Sequence, residues 1–288
     1  MDQNGANTDN KNQNGTTIVS AVDGIFSRSE TTKPPIVPEP DSEVYAKKTK
    51  RGMAIIFNHK DFLIPYCSTR NGTEKDRDCL VQVLRELGYE VYVHNDRTYE
   101  QIMKILDQAS KMDHTDHESL LIAIMSHGEE GLLYAKDTHY PTNRLWRKFS
   151  PLHCPTLAGK PKLFFIQACR GSETDPGVKV SYTETDSLST TTNQTYTIPV
   201  MADILIMYAT VENYYAWRDP EKGSYFIQAL IVQLRKHHES RDLLSILTCV
   251  NREVAIGFTS SNPENPGYDG KKEMCSIVSM LTRKYYFT

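Results

Sequence analysis

Two apolar rhythms alternate along most of this chain: short continuous runs of strand length, and sets of residues at helical spacing. Residues 53–58 are a continuous apolar run closed by Asn58 and predict a buried strand. Residues 76–87 place Cys79, Leu80, Val83, Leu84 and Leu87 on one helical face and stop at Gly88. Residues 89–94 alternate as a strand does, and 99–112 return to helical spacing. The runs 119–125, 162–166 and 204–209 predict further buried strands. Two amphipathic helices follow at 225–236 and 242–255, and 275–281 and 284–287 close the chain as β structure. Strands and helices in this alternation predict an α/β fold with a mostly parallel sheet flanked by helices.

The rhythm fails in two places. Residues 1–41 are polar at first and proline-containing later, too poor in apolar side chains to offset their ordering entropy, and are expected to be disordered. Residues 171–198 are filled by Gly, Ser, Thr, Asp and Asn with no apolar period. A loop of that length inside a compact fold is usually functional or disordered.

Composition narrows the classes. The chain has 288 residues, and a hydrophobic share of 39% is enough for a real core. A net charge of -3 suggests neither nucleic acid nor an acidic membrane surface as partner. No run is long enough for a membrane span, and the amino terminus lacks the apolar stretch of a signal peptide. The six cysteines (67, 79, 154, 169, 249, 275) are scattered without a C-x-x-C pair, unlike a disulfide scaffold or zinc ribbon. A reducing, cytoplasmic setting is the simplest expectation. The basic cluster Lys47, Lys48, Lys50 and Arg51 reads as a solvated lead-in to the folded part.

Candidate chemistry concentrates at two strand ends. Gln167-Ala168-Cys169-Arg170-Gly171 follows the run 162–166, and open α/β sheets place reactive groups at the carboxyl ends of their strands. Ser126-His127-Gly128 closes the strand 119–125, about forty residues earlier. Together these fragments resemble the active-site signature of caspases. From Arg51 onward, nearly the whole chain resembles a short-prodomain effector caspase of insect type.

That resemblance implies a central, mostly parallel six-stranded sheet with helices on both faces, continued across a homodimer. It implies a short prodomain (1–41), a large catalytic subunit (42–186) and a small subunit (187–288). The activity implied is a cysteine endopeptidase cutting after aspartate, made as a zymogen and executing apoptosis, with neither metal nor organic cofactor. Thr183-Glu184-Thr185-Asp186 before Ser187 resembles the inter-subunit cleavage site, and Asp23 and Asp41 are candidates for prodomain cleavage. The implied partners are protein substrates, a second copy of the chain, an upstream initiator caspase and inhibitor-of-apoptosis proteins.

Residue by residue, the resemblance makes Cys169 the nucleophile and His127 the general base. The amides of Gly128 and Cys169 become the oxyanion hole. Arg70, Gln167 and Arg218 become walls of a pocket for the aspartate side chain, where guanidinium meets carboxylate in a forked pair. Tyr215, Ala216, Trp217 and Tyr225 line neighbouring subsites. Asp219 and the loop 260–272 depart from the pattern and are expected to weaken a demand for Asp four residues before the cut. The other histidines considered, at 114, 117, 139, 153, 237 and 238, read as structural. A catalytically silent relative is disfavoured by retention of the whole set.

Overall fold

Strands β1 (Lys50–Asn58), β2 (Glu90–Asn95), β3 (His117–Met125), β4 (Lys162–Gln167), β5 (Ile204–Tyr208) and β6 (Ser276–Ser279) form one sheet in the order β6-β5-β4-β3-β1-β2. The first five are mutually parallel and β6 runs antiparallel to β5. These features come from a computed structural model that describes residues 42–177 and 199–288. Asp23, Asp41, Asp186 and the expected prodomain lie outside the described residues.

The middle stretches of the inner strands (53–57, 120–125, 163–166 and 204–208) are apolar because both sheet faces are covered. Along β1, Ala54 and Ile56 pack with α1 (Thr73–Glu86), α3 (Tyr225–His237) and α4 (Leu243–Gly257). Met53, Ile55 and Phe57 point the other way, toward α2 (Tyr99–Ser110) and the segment around Phe149 and Leu157. Helix α2 begins with a reciprocal capping box between Thr98 and Gln101, and Asp242 caps α4 by accepting from the Ser245 amide at 3.2 Å. Helix α1 starts earlier than its apolar spacing predicts. Its N-cap, Gly72, is left-handed and offers no side-chain cap. None of the described helices is long and apolar enough to cross a membrane.

One expectation needs correction. Residues 284–287 form no strand: Lys284 makes an isolated bridge to Val44, and the alternation beyond it serves anchoring. Tyr285 and Phe287 are buried. The Tyr285 hydroxyl bonds Ser119 Oγ at 2.8 Å and the Tyr89 hydroxyl at 3.1 Å, while Arg51 lies over the Phe287 ring. Of the two segments expected at an exposed sheet edge, β6 alone is there, with Val278 43% exposed.

Candidate active site

Sheet register brings the two motifs together. Met125 pairs with Gln167 at the ends of β3 and β4, and Ser126 N–H extends the ladder to the Gln167 carbonyl at 3.0 Å. His127 and Cys169 therefore leave the sheet side by side. A Cβ on Gly128 would lie 2.6 Å from the Cys169 carbonyl oxygen and 2.9 Å from Ala168 Cβ, an approach only glycine permits. Gly128 also opens a small three-stranded sheet (Gly128–Glu129, Leu132–Tyr134, His139–Pro141) that periodicity did not predict.

His127 Nε2 lies 2.7 Å from the Ser68 carbonyl oxygen. A carbonyl only accepts, so Nε2 carries the hydrogen and Nδ1 keeps its lone pair. The ring also packs on Phe62, centroids 4.9 Å apart. Burial pulls the imidazole below its ordinary value, helped by Arg70 and Arg218 and opposed by the Ser68 carbonyl. Burial pushes the Cys169 thiol up, opposed by the Ala216 backbone and both arginines. The resting pair is thus a neutral thiol beside a neutral imidazole. Sγ accepts the Ala216 amide at 3.5 Å.

Arg70 is 1% exposed, and its Nη1 donates to the His59 carbonyl at 2.7 Å and to Thr73 Oγ1 at 3.0 Å. Burial and the neighbouring Arg218 charge bring it down to about 9. Arg218, itself lowered by burial, donates from Nε to the Asn71 carbonyl at 2.8 Å, across 147 positions of sequence. Gln167 is buried, and its Oε1 has no partner among the described residues. Neither guanidinium has an ion-pair partner among the described residues. Their hydrogen bonds go to neutral groups and only the Asp76 charge acts on both, so two such desolvated cations favour an arriving anion, and a carboxylate fits them.

A clamp fixes this arrangement. Gly72, at φ 84°, would place a Cβ 2.6 Å from the Pro220 carbonyl oxygen, so the turn before α1 lies directly against the ribbon Arg218–Asp219/Gly223–Ser224. The buried Asp76 carboxylate accepts the Ser224 amide at 2.9 Å and Gln228 Nε2 at 2.7 Å.

Tyr215 and Trp217 meet edge to face at 5.1 Å, and Trp217 and Tyr225 both contact Phe258, at 5.9 and 4.1 Å. Tyr268, from the loop 260–272, packs edge-on against Tyr215 and Trp217. Phe258, Tyr268 and the Ser68 carbonyl were not anticipated. Asp219 accepts the amides of Glu221 and Lys222 at 2.8 and 2.9 Å, so its carboxylate organises its own turn. Buried Glu273, also unanticipated, accepts the Trp217 amide. Successive amides of an extended segment point to opposite sides, so Ala216 faces Cys169 while Trp217 is held from behind.

Residues 51–286 match the family model described as Caspase domain. The chain is 48% identical over 237 residues to caspase-1 of Spodoptera frugiperda, covering 82% of this chain and 78% of that protein. Caspase drICE of Drosophila melanogaster is 43% identical over 249 residues, 86% of this chain and 73% of the relative. Caspase-7 of Gallus gallus is 44% identical over 240 residues, 83% and 77% of the two chains. The crystal structure of caspase-1 from Spodoptera frugiperda superposes with a TM-score of 0.82 at 43% identity, covering 90% of this chain and 97% of that one. On a match of this extent the chain belongs to the caspase family, among its insect-like executioner members.

Proposed function

We propose that Cys169 is the nucleophile, and His127 the general base and acid, of the aspartate-specific cysteine endopeptidase activity that this caspase exerts in apoptosis. The Nδ1 lone pair takes the thiol proton as Sγ attacks the aspartate's own main-chain carbonyl carbon. The oxyanion accepts hydrogen bonds from the Gly128 and Cys169 amides. The C–N bond then breaks and His127 passes its proton to the departing amine. Water, deprotonated by His127, attacks the thioester, releases the new carboxyl terminus and restores the thiol.

The observation that carries this reading is the buried Arg70 with the half-buried Arg218, neither in an ion pair among the described residues, beside Gln167 and next to Cys169. Two desolvated guanidiniums select a short carboxylate side chain over any cation or neutral group. Tyr215, Ala216, Trp217 and Tyr225 line the path of the residues before the aspartate.

The same reading divides the chain into a prodomain (1–41), a large subunit (42–186) and a small subunit (187–288). An upstream initiator caspase cuts after Asp186, and removal of the prodomain follows a cut after Asp41 or Asp23. Two copies pair through the β6 edge. The protein acts in the cytoplasm and is restrained by inhibitor-of-apoptosis proteins. Family membership supports these assignments, as does the acidic tetrapeptide ending at Asp186.

Labelling with an aspartyl fluoromethyl ketone tetrapeptide, followed by peptide mapping, tests the site. The adduct is expected on Cys169 and absent from Cys169→Ala. Labelling of a different thiol, or substantial hydrolysis by the alanine variant, would remove the assignment.

A further inference from the structure

The loop between β1 and Arg70 carries an unusual apolar run, Phe62-Leu63-Ile64-Pro65-Tyr66-Cys67. Part of it has a packing role: Ile64 is buried and Phe62 lies on His127. The rest faces water, with Leu63 69% and Tyr66 73% exposed and Pro65 exposed between them. Leaving large apolar side chains in water forgoes the gain of burying them. A cluster of such residues on a loop beside catalytic groups marks a contact surface.

The surroundings say which contact. Ser68, two positions after Tyr66, supplies the carbonyl that holds His127 Nε2. The Tyr66 ring stands edge-on to Tyr134 at 6.4 Å, and the Tyr134 amide bonds the His127 carbonyl at 3.1 Å. Leu63 N–H donates to the Lys136 carbonyl at 2.7 Å, on the same stretch of chain. Leu63, Tyr66 and Tyr134 therefore lie immediately beyond His127. The substrate's aspartate sits between Arg70 and Arg218, and the residues before it run along 215–217. The leaving amine must lie at His127, which protonates it. The chain after the cut consequently passes His127, away from the Arg218 ribbon, and onto this surface.

We infer that Leu63 and Tyr66, backed by Tyr134, bind the second and third residues after the scissile bond and favour apolar and aromatic side chains there. The inference rests on the assignment of Cys169 and His127 above. At about 3.3 Å per extended residue, those side chains lie just far enough past the cut to clear the dyad. Glu129, exposed and bonded to the Tyr134 hydroxyl, sets an acidic rim that turns away acidic residues. Selectivity on this side of the cut is independent of the arginine pocket.

The test uses the full-length, cleaved enzyme and three substrates sharing one aspartyl tetrapeptide. One ends in an aminocoumarin and has no residue after the cut. Two are internally quenched peptides continuing with Gly-Tyr-Leu or Gly-Ser-Ser. The unmodified enzyme should prefer the Gly-Tyr-Leu peptide by roughly fivefold or more in kcat/KM, the scale of a modest apolar contact. In Leu63→Ser/Tyr66→Ser, with each rate divided by that variant's own aminocoumarin rate, the preference should fall to about twofold or less. Leu63→Met/Tyr66→Phe, which keeps the apolar surface, should retain it. Equal cleavage of the two peptides by the unmodified enzyme overturns the inference and leaves the dyad intact, as does a preference that survives the serine variant. Failure of the unmodified enzyme on the aminocoumarin substrate overturns the dyad assignment and the inference together.

Discussion

Glu273 Oε2 accepts the main-chain N–H of Trp217 at 3.3 Å, beneath the segment whose opposite side faces Cys169. Burial, opposed only by that amide, pushes the Glu273 carboxyl well above the usual range and so favours its neutral form. Glutamine reproduces a neutral acceptor of the same shape, and alanine does not. Glu273→Ala should raise KM for tetrapeptide substrates about tenfold, the effect of leaving a partly buried N–H unpaired, while Glu273→Gln should stay near the parent. Steady-state kinetics showing the two variants alike would reject this positioning role.

The dyad's opposed shifts fix the pH profile. His127 is held below 6.5, so it remains a free base to lower pH than ordinary histidine. The Cys169 thiol is held up, so it keeps its proton to higher pH than an ordinary cysteine. The neutral pair is therefore populated between a depressed lower limb and a raised upper limb. The kcat/KM profile should be a broad bell, its limbs belonging to the coupled pair. Alkylation of Cys169 by iodoacetamide should keep rising with pH through neutrality. A rate plateau below pH 6 would reveal a resting thiolate and contradict the picture.

Arg218→Lys should cut kcat/KM for aspartyl substrates on the order of a hundredfold or more. Lysine loses both the planar fork and the Nε donation to the Asn71 carbonyl. Arg70→Lys should be at least as damaging, since a buried ammonium could not bridge the His59 carbonyl and Thr73 in the same plane. An unaltered rate in either variant would dismiss that arginine from the pocket.

Gly128→Ala should impair turnover strongly. Its Cβ would lie 2.6 Å from the backbone oxygen of Cys169, so the main chain carrying the oxyanion donors must move. A loss of roughly a hundredfold or more in kcat is expected, with the melting temperature little changed. Near-normal turnover would show that these strands yield more easily than their register implies.

Much of the candidate site was legible because its chemistry and secondary structure coincide at two strand ends. A thiol and an imidazole each follow a buried apolar run, and parallel pairing in register does the rest. The Ser68 partner of His127 was invisible because a backbone carbonyl leaves no mark on residue type. Glu273 sits in Lys271-Lys272-Glu273, which reads as a solvated charge run, and only folding places it behind Trp217, 56 positions away. Tyr285 and Phe287 alternate as strand residues do. Period 2 records which side chains turn inward, and here they turn into a hydroxyl cluster and an arginine face rather than along a sheet edge. Asp219, expected to weaken a demand for Asp four residues before the cut, also has its Oδ1 bonded by two amides of its own turn. Charge counting does not reveal such local turn bonds.

Strands β4 and β5 are parallel neighbours, with Lys162 opposite Ile204 and Ile166 opposite Tyr208. The chain departs from the edge that holds Cys169 and must re-enter at the far edge, about 15–20 Å away for strands of this length. On the departing side, Asp175 is fastened by the Lys272 amide and Glu173 donates to the Asn213 carbonyl, at 2.9 Å each. At the far edge, Asp203 accepts the Lys162 amide and donates to the Met280 carbonyl, both at 2.8 Å. A single break anywhere between those fastenings leaves two ends tethered to opposite rims of one rigid ladder. A chain cut in this connection therefore keeps both fragments in one body, held by the β4–β5 ladder and these bonds.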